Sequence, residues 1–484
     1  MPRYDAVVVG SGPNGLTAAV VLARAGLSVL VIEAAPTIGG GTRTQALTLP
    51  GFAHDVCSCV HPMAAASPIL SALPLATFGL ELIEPPIALA HPFDDRPPAL
   101  LRHDLASTAR AFGRDADAYE SLIAPIASRW NDLAVDLLAP LHWPAHPLSF
   151  VRFGLHGLQS ATSFVRRFTT PAPRALFAGM AAHAMQPLTR PGTAAFGLIL
   201  AAIAHRVGWP FARGGSHAVS DALAAHLREL GSEIVVGRRV ASLGDIPPAR
   251  ATLLDVTPRQ LLRIAGDAFA RRYALALRRF RYGPGVFKVD WALSRPVPWR
   301  SAECAEAGTL HLAGDVKAVE HNEQLVANGE HPERPTVLVA QPSAFDPMRA
   351  PAGCATLWTY CHVPHGSTVD MLPAIEAQLE RFAPGFRDCV LAQHTMNTAQ
   401  LEAHNANMVG GDIGQGANTL RQLFLRPVAS WNPYATAVRG LYLCSSSTPP
   451  GGGVHGMCGY HAARAALRDM FGMRVEDVIP LAPH

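Results

Sequence analysis

A Gly-x-Gly-x-x-Gly turn, Gly10, Gly12 and Gly15, directly follows the apolar run Ala6 to Val9, and Glu33 closes the next apolar run, Val29 to Ile32. The order strand, glycine turn, helix, strand, acid is that of a dinucleotide-binding βαβ unit. Gly10 makes the tight turn, Gly12 lets the backbone approach a pyrophosphate, and Gly15 lets the helix pack close to the strand. Pro13 and Asn14 open the helix, whose N-terminus is a ready anion site. Glu33 is placed to accept from ribose hydroxyls, and Ala19, Leu22 and Gly26 carry the unit on at helical spacing.

A nicotinamide domain continues its βαβ repeats at once after the acid, whereas this chain runs Ala34-Ala35-Pro36-Thr37-Ile38-Gly39-Gly40-Gly41-Thr42-Arg43. Such glycines permit backbone crowding, not helix. The Gly39-Gly40 pair resembles the second diphosphate contact of the glutathione-reductase-like and amine-oxidase-like flavoproteins, where it lies along FAD. On that resemblance the expected cofactor is FAD, with Arg43 adding charge to the phosphates or standing near the flavin. On its residue type alone, Arg43 is a solvated loop arginine.

At 484 residues the chain exceeds the size at which one core stops growing, so two interleaved domains are expected. A net charge of +3 with no basic stripe argues against nucleic acid as a partner. Lysine stands only at 288 and 317, a feature of coding bias. The eight cysteines include the close pair Cys57 and Cys59 but no CxxC, which points to a reduced, cytoplasmic compartment. The first strand begins almost at Met1, so no secretory or transit segment is expected. The longest apolar stretch, Ala194 to Ala204, is too short to span a bilayer, so the protein is expected to be soluble or at most peripheral to a membrane. There is no HExxH and no GxSxG, and Pro364 spoils His362-Val363-Pro364-His365 as a helical ligand pair, so no metal is expected.

Nucleotide-type segments alternate with others. Residues 1–75, 211–275 and 401–484 are assigned to a discontinuous cofactor domain, and 76–210 and 276–400 to a substrate domain. In the first set, Gly214-Gly215-Ser216 precedes a helix-like Ala218 to Leu230, and the run Ile234 to Val236 leads to Val240. In two-dinucleotide-fold flavoproteins a strand here brings backbone groups, with a residue like Val240, to the adenine. In the substrate domain, helical signal covers Arg114 to Leu138, and the alternation over Val286 to Leu293 separates Phe287, Val289, Trp291 and Leu293 from Lys288 and Asp290. The oily face is suited to line a pocket or tunnel, and the Lys288/Asp290 face to meet solvent, the alternative being a catalytic Lys288.

Near the C-terminus, Leu441 to Cys444 reads as a buried strand and Gly451-Gly452-Gly453-Val454-His455-Gly456 as a glycine-rich turn opening a helix up to Phe471. A flavin ring over that helix start, against Gly452, Gly453 and Val454, meets free N–H groups and a positive dipole, which stabilise the charge of its reduced form. Together with Gly410-Gly411-Asp412-Ile413-Gly414, Asn418-Thr419-Leu420, Arg426-Pro427, Gly440-Leu441-Tyr442-Leu443-Cys444, Pro50-Gly51-Phe52, Asp55, His61-Pro62 and Ser67-Pro68, this turn resembles the phytoene-desaturase-related flavoproteins over essentially the whole chain. The resemblance is closer to the dehydrogenase-like branch than to dedicated carotenoid desaturases. It implies an α/β fold, in which a Rossmann-like FAD-binding domain of the glutathione-reductase/amine-oxidase type is interleaved with an α+β substrate domain.

It also implies hydride transfer from a carbon of a hydrophobic, isoprenoid or lipid-like substrate to FAD, with reoxidation by oxygen or a quinone. A redox-neutral isomerase or saturase, and a catalytically silent flavoprotein acting as a binding partner, are the competing readings. Flavin chemistry asks little of side chains beyond orientation and sometimes a base. Histidine suits that base near neutrality, and His455 in the glycine turn, His61 and His183 stand at informative positions; each is otherwise a structural residue. Leu137 to Phe168 mixes aromatic and aliphatic bodies with His and Arg tips, the composition of a membrane-facing entrance or of an ordinary cover over the substrate domain's core.

Overall fold

The computed structural model describes residues 4–481; the start of the chain read above for a leader, Met1 to Arg3, lies outside them. In chain order, β1 (Ala6–Val9), α1 (Pro13–Arg24) and β2 (Val29–Ile32) form the first βαβ unit. Two strands, β3 (Ile87–His91) and β4 (Ala99–Arg102), lead into the helices α2 (Ala116–Ala127), α3 (Trp130–Leu137), α4 (Pro147–Gly157), α5 (Pro171–Ala181) and α6 (Thr193–Val207). Next come α7 (His217–Glu229), β5 (Glu233–Val235) and β6 (Ala251–Leu254), followed by β7 (Gly285–Leu293), β8 (Ala307–Leu312), α8 (Val316–Ala327), β9 (Val337–Ala340), β10 (Ala355–Val363), α9 (Leu372–Phe382) and β11 (Val390–Met396). The chain returns through β12 (Leu441–Leu443) and α10 (Met457–Ala466).

Five strands make a parallel sheet in the order β12-β6-β1-β2-β5. Its central strands are buried on both faces, which is why they read as continuous apolar runs instead of alternating ones. Proline opens α1 at a position where its missing N–H has no helical partner to lose, and Asn14 to Ala23 are all buried. Packing there is close enough that a Cβ on Gly459 of α10 would lie 1.9 Å from the Asn14 carbonyl oxygen. The C-terminal helix therefore lies backbone-to-backbone on the dinucleotide helix, an approach that only glycine permits.

The second sheet has the order β11-β7-β10-β9-β8-β3-β4, antiparallel except where β8 runs parallel to β3. Here the sequence expectation for β7 is reversed. Phe287, Val289, Trp291 and Leu293 pack with Ile375, Leu379 and Phe382 of α9 in a sealed core, and line no cavity. Lys288 and Asp290 are buried too, at 2% and 0% exposure, and form an ion pair on the opposite face. Register sets Lys288 beside Tyr360 and Asp290 beside Trp358, and Tyr360 beside Leu338. It is this polar face that turns toward the cavity described below. Alternation identifies two faces, but when both sides of a sheet are covered it does not say which one meets ligand.

Three further expectations change. The helical stretch from Arg114 to Leu138 is two helices, α2 and α3, with a break between them. The strand that precedes Val240 ends at Val235, so Val240 stands in irregular chain, 8% exposed among Val9, Ile32 and Leu254. And β6, the interior strand between β12 and β1 of the parallel sheet, is not announced by any sequence signal read above.

Candidate cofactor and substrate site

A cavity of about 1160 Å³ runs from the first glycine turn to the second sheet. That volume exceeds what one drug-sized ligand fills and leaves room for a dinucleotide and a substrate together. Gly10, Gly12, Pro13, Asn14, Glu33, Gly40, Arg43, Val240, Gly452, Gly453 and Val454 all line it, as do His61, His183 and His455. Gly15 and Gly39 stand just behind the wall. A Cβ on Gly15 would lie 2.2 Å from the Gly10 carbonyl oxygen, and the Gly39 amide donates to the Ser11 carbonyl at 3.0 Å.

The two glycine loops meet at one point. Gly40 has φ 54°, and a Cβ there would lie 2.9 Å from the Gly12 Cα. The backbones expected to flank a diphosphate thus approach each other with no room for a side chain between them. Two buried acceptors in the same cavity, Asn14 Oδ1 and Gln415 Oε1, have no partner among the described residues. Unpaired buried acceptors are costly, and hydroxyl and imide donors of the kind FAD carries would satisfy them. The cradle therefore fits FAD in shape and in hydrogen-bonding sense.

Glu33 is held from both sides. Its Oε2 accepts from the Ser11 amide at 2.9 Å and hydroxyl at 2.7 Å, and Oε1 accepts from the Ala35 amide at 2.8 Å and from Arg43 at 3.2 Å. Arg43 is 5% exposed and also donates to the Thr37 carbonyl, so it is not a solvated loop arginine; it fixes the acid. Asp255, which follows β6, was missed in the sequence. A Cβ on Gly12 would lie 2.9 Å from its Oδ2, and the Gly15 amide donates to that oxygen at 3.1 Å. Burial, with the nearby Glu33 charge, pushes the Asp255 carboxyl up to about 7, and the Gly15 amide opposes the shift. The available signal was the pattern itself, since Ala251 to Leu254 followed by an acid repeats Val29 to Ile32 followed by Glu33.

The three histidines divide by what their ring nitrogens already do. In His455, Nδ1 accepts from the Met457 amide at 3.1 Å, so the proton sits on Nε2 and is donated to the Gly451 carbonyl at 3.2 Å. Burial takes its pKa down to about 4, against the Gly451 contact. Both nitrogens are committed inside the turn, so His455 shapes the turn and keeps no lone pair for a base. His61 Nε2 contacts Ser216 Oγ at 2.9 Å; that hydroxyl donates to the Ser58 carbonyl, so His61 must donate to it, leaving a buried and unpartnered Nδ1. His183, in the short turn Ala182–Ala184 after α5, donates from Nδ1 to the Met180 carbonyl at 3.1 Å. Its Nε2 is then a lone pair on the cavity wall, beside the His311 ring at 5.1 Å. Burial lowers His61 and His183 to about 4, so both are neutral at physiological pH.

A buried network fastens the loop that follows the Gly39-Gly40-Gly41 run to the segment between β9 and β10. Arg349, at 0% exposure, donates to Asp55 at 2.9 Å and to Asp346 at 3.1 Å, while Asp55 also accepts from Thr44 and from the Ser216 amide.

Comparison with known proteins agrees with this geometry. A family of NAD(P)-binding Rossmann-like domains matches residues 8–71. The rat pyridine nucleotide-disulfide oxidoreductase domain-containing protein 2 is 27% identical, over 98% of this chain and 94% of its own. Hydroxyneurosporene desaturase of Rhodobacter capsulatus is 27% identical, over 96% of this chain and 98% of its own. Among solved structures, putrescine oxidase superposes with a TM-score of 0.62 at 19% identity, covering 97% of this chain and 99% of that one.

Proposed function

We propose that this chain, an FAD-dependent oxidoreductase related to the amine-oxidase-like and phytoene-desaturase-type flavoproteins, dehydrogenates a carbon of a largely apolar substrate and leaves a double bond. One observation carries the reading. The cavity that holds the dinucleotide cradle continues without a partition into a chamber walled by Phe153, Phe196, Ile199, Leu200, Trp209 and Leu338. FAD, when bound, supplies the hydride acceptor, and oxygen or a quinone takes the electrons on. The chain's own side chains exclude water, orient the substrate and, through the His183 Nε2 lone pair, accept the proton that leaves the substrate when the hydride does. Gly452 and the His455-braced turn set the backbone N–H groups at the start of α10, where a positive helix end favours added negative charge.

The mouth of the chamber supports a lipid-like source for that substrate. Trp143 is 89% exposed, and on α4 Leu148 and Leu155 are 83% and 67% exposed, with Val151 and Leu158 also exposed on that side. Leu141, Trp143 and Leu158 belong to the cavity wall as well, so the apolar patch is continuous with the entrance. No helix among the described residues is long and apolar enough to cross a membrane. A bilayer surface is the occupant we propose for the patch, with Arg152 among the leucines facing the headgroups.

Anaerobic mixing of the holoprotein with isoprenoid, fatty acyl and small polar compounds, followed by flavin absorbance, tests the chemistry. Rapid bleaching by apolar compounds is expected, with His183→Ala slowing it by roughly a hundredfold while FAD stays bound. Bleaching by small polar molecules alone would refute the reading. Liposome flotation, lost on changing Leu148 and Leu155 to Ser, tests the membrane contact; Phe153 is buried and is not part of that surface.

A further inference from the structure

We propose that the end of the cavity formed by β8, β9, β10 and the turn after α5 is a subsite for a hydroxyl group, so that the substrate is an alcohol on an otherwise apolar frame. This rests on the apolar-substrate reading above and narrows it.

Three side chains define the subsite. Tyr360 is 6% exposed and lines the cavity, and its O–H has no hydrogen-bond partner among the described residues. His311 is 2% exposed, and its Nδ1 is buried without a partner. His183 presents Nε2, its Nδ1 proton being engaged with Met180. Register sets the first two in one row on one face of the sheet, with Leu338 between them, because His311 lies opposite Leu338 and Leu338 opposite Tyr360. Helix α5 presses directly on that row, since a Cβ on Gly179 would lie 2.5 Å from His311 Nδ1. This places the turn carrying His183 against His311, with Trp209 6.4 Å from the His183 ring.

The hydrogen-bonding senses select the group. Tyr360 donates, whereas His183 Nε2 can only accept. A hydroxyl answers both from one oxygen; a ketone or ether leaves the His183 lone pair without a donor, and a hydrocarbon leaves both groups unpaired in a dry chamber. Charged groups are disfavoured on the same wall. A carboxylate needs a free cation, but Lys288 is paired with Asp290, and an ammonium needs the carboxylate that Lys288 already occupies.

Quenching of tryptophan fluorescence in the FAD-loaded protein under anaerobic conditions, titrated with perillyl alcohol, its methyl ether and limonene, tests the proposal. The alcohol is expected to bind at least about tenfold more tightly than the ether or the hydrocarbon. Tyr360→Phe and His183→Leu, checked for retained FAD, are expected to bring the alcohol to within about twofold of limonene measured on the same variant. Equal affinity for alcohol and hydrocarbon in the wild type would overturn the hydroxyl subsite and leave the apolar reading standing. An ether matching the alcohol would overturn the role of His183 as acceptor, and failure of all three to bind would overturn both readings.

Discussion

Asp255 is where one side chain has the largest leverage. A carboxylate beneath a glycine turn that cradles phosphate is compatible with that task only while it keeps its proton, and burial keeps it there up to about pH 7. In the unfolded chain the group releases its proton near its ordinary value of 3.8, so stability from this residue falls as pH rises from about 4 to 7. Above pH 7 the folded protein ionises Asp255 and places a negative charge, already facing Glu33, next to the diphosphate. FAD affinity is therefore expected to fall by up to roughly tenfold per pH unit above about 7, and Asp255→Asn to flatten that dependence. Dialysis equilibrium of FAD at pH 6.5, 7.5 and 8.5 checks this, and parallel profiles for the two proteins would sink it. At the same scale, Gly40→Val should yield colourless protein, because even its Cβ would lie 2.9 Å from the Gly12 Cα, at a positive φ that valine does not adopt without strain; flavin released on denaturation measures it.

Among the elements, the parallel sheet was readable where a strand was followed by a diagnostic residue and unreadable where it was not. β1 and β2 are announced by the glycine turn and by Glu33, and β12 by the glycine turn after it, but β6 is four residues with no glycine turn beside it, and its one cue is that an acid follows it as Glu33 follows β2. The two faces of β7 were legible and their destinations were not, since the partners that decide them, α9 on one side and β10 with the cavity on the other, are distant in sequence. The same limit hid Tyr360, His311 and the pairing of Arg43 with Glu33, contacts that exist only once strands and loops are in register. Arg349 is a further long-range tie, joining the short strand pair at Thr44–Gln45 and His54–Asp55 to the loop before β10. Arg349→Leu leaves two buried carboxylates without their cation and is expected to cost about 3–5 kcal/mol. Denaturant unfolding checks this; a loss below about 1 kcal/mol, the worth of a surface pair, would show the network to be dispensable.

For the whole molecule, buried neutral histidines are a shared acid sensitivity. His54, His61, His91, His183 and His455 are each lowered to about 4 with burial as the first cause, and His461 to about 3. Unfolded, each takes up a proton near 6.5, so their stabilising contribution is complete above that value and is lost as pH falls from about 6.5 toward 4. The melting temperature is expected to drop steeply between pH 6.5 and 4.5 and to fall together for FAD release and far-UV dichroism. A flat profile across that interval would contradict the neutral, buried assignment. These histidines come from the second sheet (His91), the short strand pair (His54), the segments carrying His61 and His183, and the C-terminal segment (His455, His461), so the loss is cooperative and not local. The backbone contact of α10 on α1, through Gly459 and Asn14, has a consequence for biogenesis. The first βαβ unit leaves the ribosome early, yet its outer helix face and the β12 edge beyond β6 are covered only by residues after 440. At about 5–20 residues per second the nascent chain spends tens of seconds with the nucleotide half of the protein made but uncovered. Loading with FAD is therefore expected to wait until α10 has been made, and a chain interrupted before it is expected to be a client for chaperones or proteases, not a slower enzyme.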